Sequence, residues 1–263
     1  MSAAARTRAP SRPETILNDY LGTITSMLES IRDEEAENLQ RAAHLLAGHI
    51  KADRLVHVYG PGGHSNLAAQ EIFFRAGGLA HVSAILDEGT LLSSGALRSM
   101  AMERTPGYGA LVLRDNQLGP GDLLVLVNAY GINAAVIDAA EYARAHDITV
   151  VGISSTVHAE STPPDHPARH PSGANLHDLV DVHIDTKVPV GDAVLWIDGI
   201  DEPIAAVSTF VNAYALNCLG ALTTAVLVDS GVTPPIWRSG NAPGGDEQHA
   251  TFLDQIRTRV RWL

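Results

Sequence analysis

Cysteine is all but missing from this 263-residue chain: Cys218 stands alone in an apolar run, so no internal disulfide can form. A single thiol suits a reducing compartment, and a cytoplasmic location is expected. Aromatic residues are scarce, at 5%, which leaves few rings on which nucleobases could stack. Cations are outnumbered, 18 Lys and Arg against 30 Asp and Glu, for a formal net charge of −12. Neither a nucleic acid nor an acidic membrane surface finds a basic face on such a chain. A small anion remains admissible, because it responds to the field of its pocket rather than to the global charge. The N-terminus holds Arg6, Arg8 and Arg12, but the apolar segment of a signal peptide does not follow, so residues 1–13 read as a disordered leader. The stretch 204–228 is long and apolar, yet Ser208, Thr209, Asn212, Asn217, Thr223 and Thr224 interrupt it. A buried or interfacial helix accounts for it better than a bilayer span does.

The apolar fraction is 45%, enough for one good core at this length, and no linker separates two. Apolar residues recur at helical spacing from Ile16 to Ile31 and again from Leu39 to Ile50, predicting a helical hairpin over 14–50. This pair lacks the basic face of a DNA-reading helix-turn-helix. Short apolar runs then alternate with helical patterns. Strands are expected at 55–59, 81–86, 123–128, 148–154 and 180–184, with helices at 66–76, 134–145, 204–228 and 248–262. Such alternation predicts a parallel sheet with helices on both faces. The segments 160–173 and 231–246 are rich in Pro, Gly, His or Ser and read as loops.

Two segments promise ligand chemistry. Gly60-Pro61-Gly62-Gly63-His64-Ser65 joins a strand to a helix, where glycines let backbone amides approach an anion and the helix N-terminus adds partial positive charge. A dinucleotide fingerprint would need glycine where Ser65 stands; a merely tight turn is the plainer alternative. Asn128-Ala129-Tyr130-Gly131-Ile132-Asn133 repeats the arrangement at another strand end. Together the two loops are expected to face one crevice outside the strand C-termini, where open α/β sheets bind ligands. Candidate ligand contacts are Gly60, Gly62, Gly63, His64, Ser65, Asn128, Tyr130, Gly131, Asn133, Ser154 and Ser155.

Glu71, with Arg75 one helical turn on, is either a carboxylate able to move a proton between sugar carbons or half of a solvated i,i+4 pair. Histidines cluster at 158, 166, 170 and 177, without the spacing of a metal motif. His170 and His249 are the acid/base candidates, imidazole being suited to opening a sugar ring near neutral pH. Glu247 joins them as a second candidate proton carrier.

The two loops, with Gln70–Leu79, His170-Pro-Ser-Gly173, Gly191-Asp-Ala193 and the tail Pro234-Pro235, Ser239-Gly-Asn241 and Gly245-Asp-Glu247, resemble the sugar isomerase (SIS) family over about residues 14–262. The resemblance implies a three-layer αβα sandwich around a five-stranded parallel, flavodoxin-like sheet, the N-terminal helices and a C-terminal helix completing one SIS domain over 14–263. It implies a homodimer with active sites near the subunit interface, a sugar phosphate as ligand, and aldose–ketose isomerisation through an enediol with Glu and His as proton carriers. A non-catalytic sugar-phosphate sensor and a lyase, deglycase or etherase are the alternatives. Members grip phosphate with a Ser/Thr-rich loop after the third strand, where this chain has Asn128–Asn133. The phosphoheptose isomerase branch holds zinc with His and Glu on the helix after the first loop. Here that helix carries Gln70 and Glu71, so neither metal nor another cofactor is expected.

Overall fold

The computed structural model describes residues 13–263, so the expected leader, apart from Pro13, lies outside the described residues. Pro13 opens α1 (Pro13–Glu34), a first-turn position where its missing N–H costs nothing. Only Glu35 separates α1 from α2 (Ala36–Lys51). The bonds Glu35 N–H to Ile31 O and Leu39 N–H to Glu35 O carry the helical pattern across this joint.

The core is a five-stranded parallel sheet of β1 (Val56–Tyr59), β2 (Val82–Ile85), β3 (Leu123–Val127), β4 (Thr149–Ser154) and β5 (Val182–Asp185). Its strand order is β2-β1-β3-β4-β5. Parallel strands covered on both faces must be apolar on both, and alternate residues serve opposite layers. Val56, Val58, Val125, Val127, Val151 and Ile153 pack toward α2 and the long helix α8 (Ser208–Asp229). Tyr59, Leu124, Leu126 and Val150 pack toward α5 (Tyr108–Asp115) and α6 (Ala134–Ala145).

Several expected boundaries move. The helix after the first loop is α3 (Ser65–Ile72), which ends four residues earlier than its pattern implied. Phe73 turns extended and Phe74 takes φ +47, its ring packing against Trp237 at 4.9 Å. The segment between β2 and β3, given no element in the sequence, contains α4 (Ala96–Glu103) and α5. The loop after β4 begins with α7 (Thr156–Ser161), capped by Ser155 Oγ accepting from His158 N–H. The apolar run 204–228 divides at Val207: β6 (Ala193–Leu195) pairs antiparallel with β7 (Ile204–Ala206) before α8 starts. Asp192 makes that division, accepting from Val207 N (2.9 Å) and Ser208 N (2.7 Å) and from Ser208 Oγ (2.6 Å). The last helix, α9 (Gly245–Ile256), starts three residues early and packs through Ile256 against Ala80 and Trp237.

α8 is the one described helix long and apolar enough to cross a membrane by length and composition. Here its Val211, Ala215, Leu216, Leu219 and Leu227 are buried in the core that α2 and the sheet share.

Candidate functional site

In a sheet ordered 2-1-3-4-5, the connections from β1 and β3 depart in opposite directions and leave a crevice at the strand C-termini. Residues 60–65 and 128–133 both end there. A cavity of about 470 Å³ opens between them, lined among others by Gly62, Gly63, His64, Ser65, Asn128, Tyr130 and Asn133. The volume suits a small ligand.

Gly60 turns the chain so tightly that a β-carbon there would collide with the Ser65 carbonyl. Gly62, at φ +121, presents its carbonyl to Asn66 N (3.0 Å) and Asn66 Nδ2 (2.9 Å). Asn66 is fully buried and also donates to Thr90 O (3.1 Å), which accepts from Ser99 Oγ (2.8 Å) on α4. The first loop and α4 are thus parts of one buried polar network, which over-determines their relative position. Among the described residues, the amides of Gly63, His64 and Ser65 have no acceptor, leaving three donors at the start of α3.

Asn128, 3% exposed, staples the second loop to the first. Its Nδ2 donates to Pro61 O (2.8 Å) and lies 3.4 Å from Ser65 Oγ. Its Oδ1 accepts from Tyr130 N (3.1 Å) and Gly131 N (2.8 Å). The Gly131 amide expected to hold the ligand is therefore occupied. Gly131 turns away from the cavity at φ +66, where a β-carbon would stand 2.7 Å from Ser154 Oγ. Ser154 is buried beneath it, hydrogen-bonded to His183 Nε2 at 3.0 Å, and Ser155 Oγ donates to Val188 O at 2.6 Å. Gly60, Gly131, Ser154 and Ser155 shape the crevice without lining it. Asn133 precedes α6 without capping it, its Nδ2 donating to Ala168 O at 3.2 Å.

The other charged and aromatic lining comes from residues without a ligand role in the sequence: Glu103 and Arg104 at the end of α4, His158 on α7, His166, and Asp192 beside Ser208. Tyr130 stacks on His158 with ring centroids 3.6 Å apart. Burial pushes the Tyr130 phenol up to about 12, with Asp192 and Glu103 adding to it. Burial pulls His158 below the usual histidine range, leaving the ring neutral at neutral pH. Glu103 is raised by burial to about 7, with Arg104 opposing. Asp192 was legible only as part of the Gly191-Asp-Ala193 motif. Glu103 carries no signal in the sequence, because α4 buries only Ser99 and has no apolar stripe.

The four acid/base candidates lie elsewhere in the chain. His170 sits behind the second loop, its N–H donating to Ile132 O at 2.8 Å and its Nε2 lying 3.2 Å from Asp138. Asp138, Glu141 and His170 are the one trio with metal-ligand spacing among the described residues. Ser172 N–H points at His170 Nδ1 (3.1 Å), which fixes the proton on Nε2, facing Asp138, where a metal would need a lone pair. Glu71 pairs with Arg75 at 3.3 Å and accepts from Asn217 of α8 at 3.4 Å, beside a separate, mostly apolar cavity of about 210 Å³. His249 contacts Trp237 and Phe74, its Nε2 2.6 Å from Arg238 O, and Glu247 is exposed on α9.

A flavodoxin-like α/β protein with its crevice at the sheet's switch point is the class these features define. The sequence profile of the SIS domain matches residues 19–155, and the chain belongs to that family. It is 37% identical to the UPF0309 protein of Streptomyces coelicolor, over 92% of this chain and 95% of that one. It is 35% identical to the UPF0309 protein of Caldanaerobacter subterraneus, over 94% and 100%. Among solved structures, phosphoheptose isomerase from Neisseria gonorrhoeae superposes with a TM-score of 0.54 at 15% identity, covering 83% of this chain and all of that one. Phosphoheptose isomerase from Francisella tularensis does so with a TM-score of 0.52 at 14% identity, covering 84% and 100%.

Proposed function

We propose that this SIS protein binds a sugar phosphate in the crevice between residues 60–65 and 128–133 and interconverts its aldose and ketose forms. The observation that carries the reading is the convergence of two strand-to-helix loops on one cavity, locked together by Asn128. Three unspent amides at the start of α3 supply an anion grip, with His64 and Ser65 beside them. The spent amides of Tyr130 and Gly131 move the expected centre of that grip toward the first loop. The names of the phosphoheptose isomerases with the same fold point to the same chemistry.

A homodimer belongs to this proposal. Leu17 and Leu21 on α1, Trp196 after β6 and Phe210 on α8 are exposed apolar residues on elements that touch, Tyr20 Oη donating to Ala206 O at 2.6 Å. In a dimer, Glu71, Glu247 and His249 are candidates to approach the partner's crevice, whereas His170 supports its own second loop.

The test is incubation of the full chain with a panel of sugar phosphates in deuterated water. Exchange of the proton beside the carbonyl, with appearance of the isomer, is expected for at least one. Binding without exchange on every member would refute the isomerase and point to a sensor. Release of a substituent from the sugar would point to a lyase or etherase.

A further inference from the structure

The proposed isomerisation needs a base inside the crevice, and within one chain the carboxylates read from sequence, Glu71 and Glu247, do not line it. Two carboxylates line the cavity: Glu103 and Asp192. Asp192 is committed, each of its oxygens already accepting at the start of α8. Glu103 is not: among the described residues nothing donates to it, although it is partly buried. A partly buried carboxyl without a partner, facing a cavity that a ligand could fill, is a functional-site candidate.

The surroundings are built to hold it there. Gly62 lies under the Glu103 carboxylate, and a β-carbon at that position would collide with Oε2. Helix α4, which ends at Glu103, is fixed through Ser99 to Thr90, and Thr90 to Asn66, whose Nδ2 bonds the Gly62 carbonyl. The carboxylate and the loop whose amides are free are therefore positioned by one network.

We propose that Glu103 is the catalytic residue that carries the proton between the two carbons of the enediol. The inference rests on the isomerase reading above. The Glu103 carboxylate takes the proton from the carbon beside the carbonyl, and the C–H electron pair becomes the new C=C bond. The carbonyl oxygen gains a proton, and the neighbouring hydroxyl oxygen loses one as its own C=O forms. Glu103 then returns that proton, or a solvent proton exchanged onto its carboxyl while the enediol stands, to the adjacent carbon. One hydrogen has moved between carbons and one between oxygens, so no oxidant, reductant or co-reactant is needed. A carboxyl that titrates near neutrality suits this work, being a base when empty and an acid when loaded.

The groups facing Glu103 are Arg104 beside it on α4, His64 at the start of α3, Tyr130 after β3, His158 on α7, His166 in the following loop and Asp192 before β6. The pH profile must separate Glu103 from the three histidines among them, so it is measured on the wild type and on the residual rate of the variant.

The test uses the full-length chain, the same deuterium-exchange panel including fructose 6-phosphate and ribose 5-phosphate, and the E103Q and E103A variants. E103Q is expected to fold, to bind the active sugar phosphate within threefold of wild type, and to lose about 10²- to 10⁴-fold in exchange rate. E103A is expected to regain part of that rate with added formate. The acidic limb of the wild-type profile, centred at about 7, is expected to vanish from the residual rate of E103Q. Wild-type exchange with E103Q still within threefold overturns the assignment while leaving the isomerase reading intact. Loss in E71Q alongside an active E103Q does the same and transfers the role to Glu71. A wild type silent on every sugar phosphate overturns the isomerase reading, and this assignment with it.

Discussion

The first and second loops occupy equivalent places, each leaving a strand C-terminus for a helix N-terminus, and each carries glycine at positive φ. They differ in what happens to their amides. In the first, those of Gly63, His64 and Ser65 have no acceptor among the described residues. In the second, Asn128 folds its own amide side chain inward and consumes those of Tyr130 and Gly131. Glycine in a loop gives the backbone its shape, but the polar side chain beside it decides whether the N–H groups remain available. The first loop is a receptor surface and the second is mainly its brace.

The largest effect expected from this contrast is at Asn128. N128A leaves Pro61 O, Tyr130 N and Gly131 N without their partner in a buried place, and should cost about 3 kcal/mol in urea unfolding. A variant as stable as wild type would mean the two loops hold together without the staple.

The underside of the brace gives a pH test. Burial drives His183, which meets Ser154 beneath Gly131, down to about 4 from 6.5, so the folded chain holds it neutral. The unfolded chain takes up that proton first, so stability is fully present above pH 6.5 and falls as pH drops toward 4, by about 3 kcal/mol at most. H183N should flatten that part of the stability–pH curve. An unchanged slope would assign the acid sensitivity to other groups.

The receptor side has the opposite sign. The Glu103 carboxyl is raised in the fold from 4.5 to about 7, so the folded chain binds the extra proton and stability declines as pH rises through that window. E103Q should therefore be more stable than wild type at pH 8, by up to about 3 kcal/mol, and gain little at pH 4.5. Equal stability at both pH values would mean that the carboxylate is well solvated.

The two glycines sharpen the contrast further. G131A forces an alanine to φ +66 against Ser154 and Leu176 and should cost about 2 kcal/mol, with no direct effect on Glu103. G62A, at φ +121, should cost a similar amount and in addition displace the Glu103 carboxylate, moving its titration by carboxylate NMR. If both variants moved that titration equally, the division of labour between the loops would fail.

The sheet was legible because its strands are apolar on both faces and bounded by turns: residues 123–127 and 149–154 carry no competing pattern. The convergence of the two loops followed from strand alternation alone. The acid/base residues were not legible in the same way. Glu71 satisfied a spacing rule, and the structure pairs it with Arg75, one of the two readings its spacing allowed. Glu103 obeyed no rule, because α4 is eight residues long with one buried position, Ser99, and leaves no apolar stripe to read. Its meaning arises only when Gly62 and the cavity are set beside it. Asp192 is similar: its capping of α8 depends on a hairpin of three-residue strands that an apolar run concealed.

The most direct measurement is an amide NMR titration of the full-length chain with a sugar phosphate. A single ligand-binding crevice predicts that the amides of Gly63, His64 and Ser65 shift most, that Ile132 and Asn133 shift with the same binding curve, and that Tyr130 and Gly131 follow weakly. Saturable shifts confined to the neighbourhood of Glu71 and Asn217, with residues 62–65 unmoved, would contradict it.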